Sequence, residues 1–533
     1  MKRLWRQLGR NRLFPRLARD VGGNTLVIVA AGLVPLSAMI GSGVDMSRAY
    51  MAKTRLQSAC DAASLAARRA MTDDNFTTAV QQEGIKYFNF NFPQGLYDTA
   101  SFTPQVTKPE TGTIRVEANT TIPTVIMHMF GFGSLPLEVD CEASQNFVNT
   151  DIVLVLDVTG SMGNNLNGEQ KIVALREAVI ALYDELKPVQ DELEANGLRL
   201  RYGIVPYSTT VNIGKLLHGH NASYIASSWN YRSRVRETQI PAPAHLEWLC
   251  NYFGGTYDLT NQLCGLGNWV NGYHAVDTSI FKTGAAARDL SKAPAGSSTW
   301  NGCIEERQTV NTITSASGYS IPNNAYDLNI DMIPANDSQR WGPQWGELLY
   351  KPNGDAVGTG PCPTEAKRLQ AWSKSALQSY VNGLNTVGNT YHDIGMIWGA
   401  RLISDAGVFA DSPNEYAGMP VTKHIIFMTD GNLEPNRNRN TAYGVERYDN
   451  RIAPNGANNN ELRDRHEHRL QMICNAAKSK QVSIWVVAFD TNADDVGPCA
   501  SSDSQVSVST NKDQLIAKFV EIGKNIGALR LSQ

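Results

Sequence analysis

The sequence predicts an α/β protein. A long N-terminal helix leads through a small α+β unit into a doubly wound parallel sheet that carries a large loop-rich insertion. Three observations carry this expectation. An uncharged apolar stretch lies near the N-terminus; short apolar runs recur at Ile152–Leu156, Leu198–Pro206, His424–Thr429 and Val482–Phe489; and amphipathic helical stripes fall between those runs. Apolar runs of this length suit strands buried on both faces, and alternation with helices implies a sheet covered on both sides.

The chain has 533 residues, 42% of them hydrophobic and 19% charged, enough to bury a sizeable core in about three domains. Residues 1–20 hold Lys2, Arg3, Arg6, Arg10, Arg12, Arg16 and Arg19 against Asp20 alone. The rest of the chain is therefore net acidic and shows no basic surface, which argues against a nucleic-acid partner. Leu26–Val44 contains no charged residue, and the looser apolar span covers 21–45. About 20 such residues cross a bilayer as a helix. The basic flank before the span, with Asp45 after it, places the N-terminus in the cytoplasm and the bulk of the chain across the membrane. Two competing readings are a cleaved signal peptide, with Gly41 and Gly43 as small residues near a cut, and a buried core helix. The uncleaved anchor is preferred because Met46–Ala70, rich in Ala, Leu, Arg and Gln and free of Gly and Pro, continues the helix.

In that continuation Ala52, Leu56, Cys60, Ala63 and Ala67 make a small-residue stripe at helical spacing. The run RDVGGNTLVIVAAGLVP…GVDMSRAYMAKTRLQSACDAASLAA resembles the start of the TadE/TadG-like proteins of Flp (tight-adherence) pilus assembly. The resemblance rests on an Arg-Asp before the span, a Val-Asp after it and a Leu-Gln-x-Ala-x-Asp-Ala-Ala pattern. It implies a single-pass protein of the bacterial inner membrane, with the bulk of the chain periplasmic or otherwise extracytoplasmic. No Glu lies five residues after Gly22 or Gly23, where prepilin-type processing would need one. The pilin-like region is expected over 46–147. Within it, Phe76–Phe92 reads as a second helix stopped by Pro93, and Gly112–Ala118, Thr121–Met127 and Leu135–Ala143 read as a small antiparallel sheet. A spacer or docking role is the default for this unit.

From 148 to 533 the strands named above alternate with helices. Ile172, Leu175, Val179, Leu182 and Leu186 stripe the first. Others are expected at Glu365–Leu384, Asp393–Ser404 and Asn460–Lys478, and the last is marked by Leu515, Phe519, Ile522 and Ile526. In such sheets ligands sit beyond the carboxyl ends of the strands. There the chain places hard oxygen donors. Asp151–Met162 reads DIVLVLDVTGSM, a strand running into Asp157, Thr159 and Ser161; GNTYHDIG holds Thr390 in a turn before a helix; and His424–Met428 runs into Thr429-Asp430-Gly431. Taken singly, the first segment is equally a strand closed by an Asp-turn and a capping Ser. Together the three resemble the metal-ion-dependent adhesion site (MIDAS) of von Willebrand factor A (vWA) domains. Thr159 stands where that pattern has Ser, and GNT where it has Gly-Gly-Thr. The resemblance implies a divalent cation held by Asp157, Thr159, Ser161, Thr390 and Asp430. Mg²⁺ is expected, with Mn²⁺ or Ca²⁺ as alternatives. The partner would offer an Asp or Glu carboxylate to the ion.

The insertion at about 214–363 is rich in Trp, Tyr, Asn and Gly without sustained periodicity, so a loop-rich subdomain is expected; its WNGCIEER run resembles a segment of TadG-type proteins. A second insertion, Asn432–Asn459, follows the Asp430 loop and reads as a solvated loop at the rim of that edge. All eight cysteines follow the span, which fits an oxidising compartment. Proximity along the chain suggests Cys474–Cys499, Cys250–Cys264, Cys303–Cys362 and Cys60–Cys141, with other connectivities open. HExxH, GxSxG and GxxxxGK[ST] are all missing, so an enzyme is not expected. His466 and His468 read as members of a solvated helix face, and His392 as structural. The leading functional reading is a membrane-anchored pilus-assembly component binding another pilus or envelope protein through the metal. The alternative is a surface adhesin that takes a host or matrix ligand at the same site.

Overall fold

The computed structural model describes residues 24–71, 76–109, 112–144, 148–258, 262–279, 287–289, 296–298, 300–357 and 360–528. The basic tail expected at 1–20 lies outside them. The chain divides into two compact units, Met1–Asn146 and Phe147–Gln533.

In the first unit, helix α1 (Asn24–Ala70) is long and apolar enough at its start to cross a membrane. The apolar side chains of 27–44 are mostly exposed, whereas Ala52, Leu56, Cys60, Ala63 and Ala67 are buried. They pack on α2 (Thr78–Asn91), through Val80 and Phe88, and on a three-stranded antiparallel sheet of β1 (Gln105–Thr107), β2 (Thr113–Pro123) and β3 (Ser134–Ser144). Two of the strands expected from sequence, on either side of Asn119, are the single strand β2. Cys60–Cys141 ties α1 to β3.

The second unit is built on a seven-stranded sheet. Its first elements are β4 (Asn149–Asp157), α3 (Lys171–Ala195) and β5 (Leu200–Tyr207). The insertion follows, with β6 (Ser228–Pro241), β7 (Leu263–Asp277) and β8 (Ile304–Glu305). The chain returns through β9 (Lys367–Gln370), α4 (Lys374–Asn382) and α5 (His392–Ile403) to β10 (Met419–Thr429), then α6 (Asn459–Ser479), β11 (Val482–Phe489), β12 (Val506–Ser509) and α7 (Lys512–Ala528). The strand order is β9-β5-β4-β10-β11-β12; every pairing is parallel except that of edge strand β9, and Glu415–Tyr416 pairs antiparallel with the start of β10. The chain thus winds outward from β4 on one side and from β10 on the other, and these two strands are neighbours.

Alternate residues of each central strand enter opposite cores. Val153 and Val155 join Ile425, Phe427, Ile484 and Val486 under α5 and α6. Ile152, Leu154 and Leu156 join Ile426, Met428, Val487 and Phe489 under α3, α4 and α7. That period of two, buried on both faces, explains why these strands read as unbroken apolar runs.

Several expectations are corrected. The helix read over Glu365–Leu384 is a strand and then a shorter helix: Lys367 and Gln370 pair with Ile204 and Tyr202, and the Ser373 hydroxyl caps α4 by accepting from the Ala376 N–H at 3.3 Å. The 214–363 insertion contains a long ribbon, β6 paired with β7, as well as loops. One of its faces carries arginines stacked on aromatic rings, with Arg234 and Arg236 on Trp269 and Arg232 on Tyr448, in place of apolar side chains. Much of Asn432–Asn459 is interior: Leu433, Ala442, Tyr443, Val445 and Ile452 are all buried.

Four disulfides use all eight cysteines: Cys60–Cys141, Cys250–Cys264, Cys303–Cys362 and Cys474–Cys499.

His424 in β10 is buried beside Trp485, whose indole N–H lies 3.4 Å from His424 Nδ1. Burial lowers the imidazole from 6.5 to about 4. Between those values the unfolded chain binds the proton and the folded one does not, so His424 costs stability as pH falls below 6.5. Replacing His424 by Gln is expected to shrink the stability lost between pH 7 and pH 5 by about 2 kcal/mol. Denaturation of the full-length protein in detergent, read by tryptophan fluorescence, checks this, since every Trp except Trp5 lies in the second unit. An unchanged pH dependence would contradict it.

Candidate metal centre

The carboxyl ends of β4 and β10 lie side by side, and the loops that leave them converge with the segment entering α5. Asp157 ends β4 and is fully buried. Its Oδ1 accepts from the Thr159 N–H at 2.8 Å, and its Oδ2 accepts from the Thr429 hydroxyl at 2.8 Å. The Tyr207 hydroxyl stands 3.4 Å from the same Oδ2. Asp157 is therefore held in one orientation by three elements.

A 3₁₀ turn, Gly160–Gly163, then presents the hydroxyls. Thr159 Oγ1 and Ser161 Oγ are 2.8 Å apart, and Ser161 Oγ donates to Asp430 Oδ1 at 2.7 Å. Thr390 Oγ1 lies 3.4 Å from Thr159 Oγ1. The segment carrying Thr390 is fixed to the first loop by backbone bonds, Gly160 N–H to Gly388 O at 3.0 Å and Val387 N–H to Val158 O at 2.8 Å. Gly388 has φ +77, a left-handed backbone that favours glycine there. The third loop closes on the second through Glu434 N–H to Thr390 O at 3.1 Å.

All five side chains expected from sequence are thus brought together in one chain of contacts. Ligand oxygens held at about 2.1 Å in an octahedral shell lie about 3 Å from their neighbours. The observed spacings of 2.7, 2.8 and 3.4 Å match that separation, and every donor is a hard oxygen. By this test Thr159, Ser161, Thr390 and Asp430 fit a small divalent cation, and Asp157 is joined to them through the Thr159 N–H. Among the described residues no group of three or more His, Cys, Asp and Glu could hold a metal, so any ion here relies on hydroxyls beside two carboxylates.

Burial and the charge of Asp430 raise Asp157 to about 7, and burial raises Asp430. Two residues unmarked by sequence reasoning complete the site. Thr429 orients Asp157 from the end of β10, with His392 Nε2 3.0 Å from its hydroxyl. Lys171 opens α3 and is buried, its ammonium 3.2 Å from Asp430 Oδ2 and 2.7 Å from Asp490 Oδ2. The adjacency of Thr429 to Asp430 was a usable signal for the first; nothing in the spacing marks Lys171. His466 and His468 are buried, not solvated, because the 214–363 insertion and the 432–459 segment cover α6. His466 Nδ1 meets Asp393 Oδ2 at 2.8 Å, and His468 stacks on Tyr319.

Residues 23–71 match the family model described as putative Flp pilus-assembly TadE/G-like. No curated protein matches the chain. Among solved structures, the pilus adhesin SpaC from Lactobacillus rhamnosus GG is 13% identical with a TM-score of 0.32, the match covering 81% of this chain and 35% of that one. The vWF domain of the type V pili tip protein Mfa5 from Porphyromonas gingivalis is 10% identical with a TM-score of 0.29, covering 71% of this chain and 95% of that one. The PilB minor pilin from Streptococcus sanguinis is 10% identical with a TM-score of 0.31, covering 81% and 79%. The chain spans about a third of the length of the adhesin it matches. At its N-terminus, then, the protein carries a segment similar to the TadE/G-like family, on a helix suited by length and composition to a single membrane crossing.

Proposed function

We propose that the protein is a membrane-anchored component of Flp-type pilus assembly in the bacterial inner membrane, with its second unit outside the cytoplasm. That unit is a vWA domain which binds a partner protein and performs no catalysis. The observation that carries this reading is the convergence of Asp157, Thr159, Ser161, Thr390 and Asp430 at the carboxyl ends of β4 and β10. The match at residues 23–71 supports the pilus setting. Asp157, Thr159, Ser161, Thr390 and Asp430 would hold Mg²⁺, or Mn²⁺ or Ca²⁺ in its place, and the ion would supply positive charge for recognition of an Asp or Glu carboxylate of the partner. Asp157 and Asp430 would provide the charge that holds the ion, and the three hydroxyls would add oxygen donors without neutralising it. Thr429 and Tyr207 keep Asp157 aimed at the site.

Chemical crosslinking of the full-length protein in intact envelopes, followed by its capture with and without EDTA, tests the proposal. A pilus or envelope protein should be captured, lost with EDTA and restored by Mg²⁺. An identical set of partners in EDTA would sink the metal-dependent reading. Exposure of the protein on the cell surface in the same preparations would favour the adhesin instead.

A further inference from the structure

Between Glu117 and Glu138 the chain carries no Asp, Glu, Lys or Arg. This stretch includes the connection from β2 to β3, with a 3₁₀ turn at Met127–Phe130. The connection is clamped to α1 at a defined height. The Asp45 carboxylate accepts three backbone N–H groups, from Val125 at 2.8 Å, Ile126 at 3.0 Å and Met127 at 2.8 Å. One turn earlier, Gly41 leaves room for the same segment: a Cβ built there would lie 2.9 Å from Ile126 Cβ. On the other side of Asp45, Arg48 donates to the Pro123 carbonyl at 3.3 Å. The connection therefore runs along α1 from Arg48 down to Gly41. At 1.5 Å per residue, Gly41 lies about 5 Å inside the end of the uncharged stretch Leu26–Val44.

At that height the turn exposes apolar side chains, with Val125 59%, Met129 83% and Phe132 60% accessible. Apolar groups that have no protein cover and stand beside a membrane-spanning stretch have an obvious solvent, which is lipid. The backbone is prepared for it. N–H groups at a strand-to-strand turn would normally be hydrated, whereas here the buried Asp45 satisfies three of them from within the protein.

We propose that the Thr124–Gly133 turn is embedded in the bilayer interface, with Val125, Met129 and Phe132 among the lipids as a second membrane contact beside the span. The inference rests on reading Leu26–Val44 as the membrane-crossing part of α1.

The test places the photoreactive residue p-benzoylphenylalanine singly at positions 33, 129, 132 and 90 of the full-length protein. Each variant is reconstituted in phosphatidylglycerol–phosphatidylcholine vesicles, and lipid adducts are measured by mass spectrometry. Leu33 is an exposed residue of the span. Phe90 is 81% exposed, but its neighbour Asn91 accepts from Arg55, so it stands about 15 Å further along α1 than Asp45. Adducts at 33, 129 and 132 several-fold above those at 90 are expected. Adducts at 33 alone would overturn the embedded turn and leave the span intact; adducts at none of the four would overturn both. In cells, crosslinks from 132 to protein in place of lipid would also overturn it.

Discussion

With Asp157 replaced by Ala, the full-length protein in detergent is expected to bind Mg²⁺ at least about 100-fold more weakly than wild type, roughly 2.8 kcal/mol. Asp157 is one of two carboxylates at the site, and the other, Asp430, already faces the Lys171 ammonium at 3.2 Å. Removing Asp157 leaves the ion with hydroxyls and a partly neutralised acid. Asp157→Asn separates charge from shape: its amide oxygen can accept from the Thr159 N–H while its amide N–H donates to the Thr429 hydroxyl, which can turn to the Gly431 carbonyl at 3.0 Å. This variant should fold as wild type and also bind weakly. The pH dependence follows from the raised value of about 7. From 3.8 to about 7 the folded state binds a proton that the unfolded chain releases, so Asp157 costs metal-free stability as pH rises through that window. Cation binding must displace the same proton, so Mg²⁺ affinity should increase as pH rises through 7. Titration calorimetry at pH 6 and pH 8 reads both effects, and unchanged Mg²⁺ affinity in the Ala variant would refute the site.

The second large effect lies away from the site, in the WNGCIEER segment. Glu306 is fully buried and accepts from Trp341 Nε1 at 3.0 Å, Trp398 Nε1 at 2.7 Å and Arg401 at 2.9 Å. Arg401 is fully buried too, and its guanidinium packs against both indole rings. Glu306→Ala leaves that cation unpaired and two indole N–H groups without acceptors. Breaking one side of a buried ion pair costs about 3–5 kcal/mol. For a unit of this size that is a fall in Tm of about 5 °C. The paired replacement Glu306→Leu with Arg401→Met removes the charge together with its partner and should recover part of the loss, the two indole N–H groups still lacking acceptors. Thermal melting by tryptophan fluorescence distinguishes the two variants. A single variant that melts like wild type would show that the pair contributes little.

These two residues mark where the sequence was readable and where it was not. Asp157 and Asp430 could be located because each follows an apolar run whose side chains are buried on both faces. Such runs stand out without knowledge of their neighbours. Val482–Phe489 is found as read, and Asn460–Lys478 differs from α6 by one residue at each end. Glu306 was only part of a motif, because its partners lie 35, 92 and 95 residues away. The misread elements share this cause. Leu369 and Trp372 extend a helical stripe in sequence, but pairing with β5 overrides that local preference. His466 and His468 sit on a helix rich in charge, and only the packing of two insertions makes its face interior. Lys171 reaches the site across a turn that no spacing rule predicts. Asp45 appeared as the first charge after an apolar span; that its carboxylate holds a turn some eighty residues away belongs to the tertiary structure alone.

One consequence of the strand order concerns force. The second unit begins almost at once with β4, whose last residue is Asp157, so the covalent path from the first unit to the proposed grip runs along one strand. That strand lies between β5 and β10, parallel to both. A pull between the anchor and a partner gripped at both Asp157 and Asp430 would be shared between β4 and β10. It would load the hydrogen bonds of their ladder in shear and strain them together, whereas peeling opens them one at a time. A central parallel strand gives the protein a geometry that resists tension along the line of its own attachment.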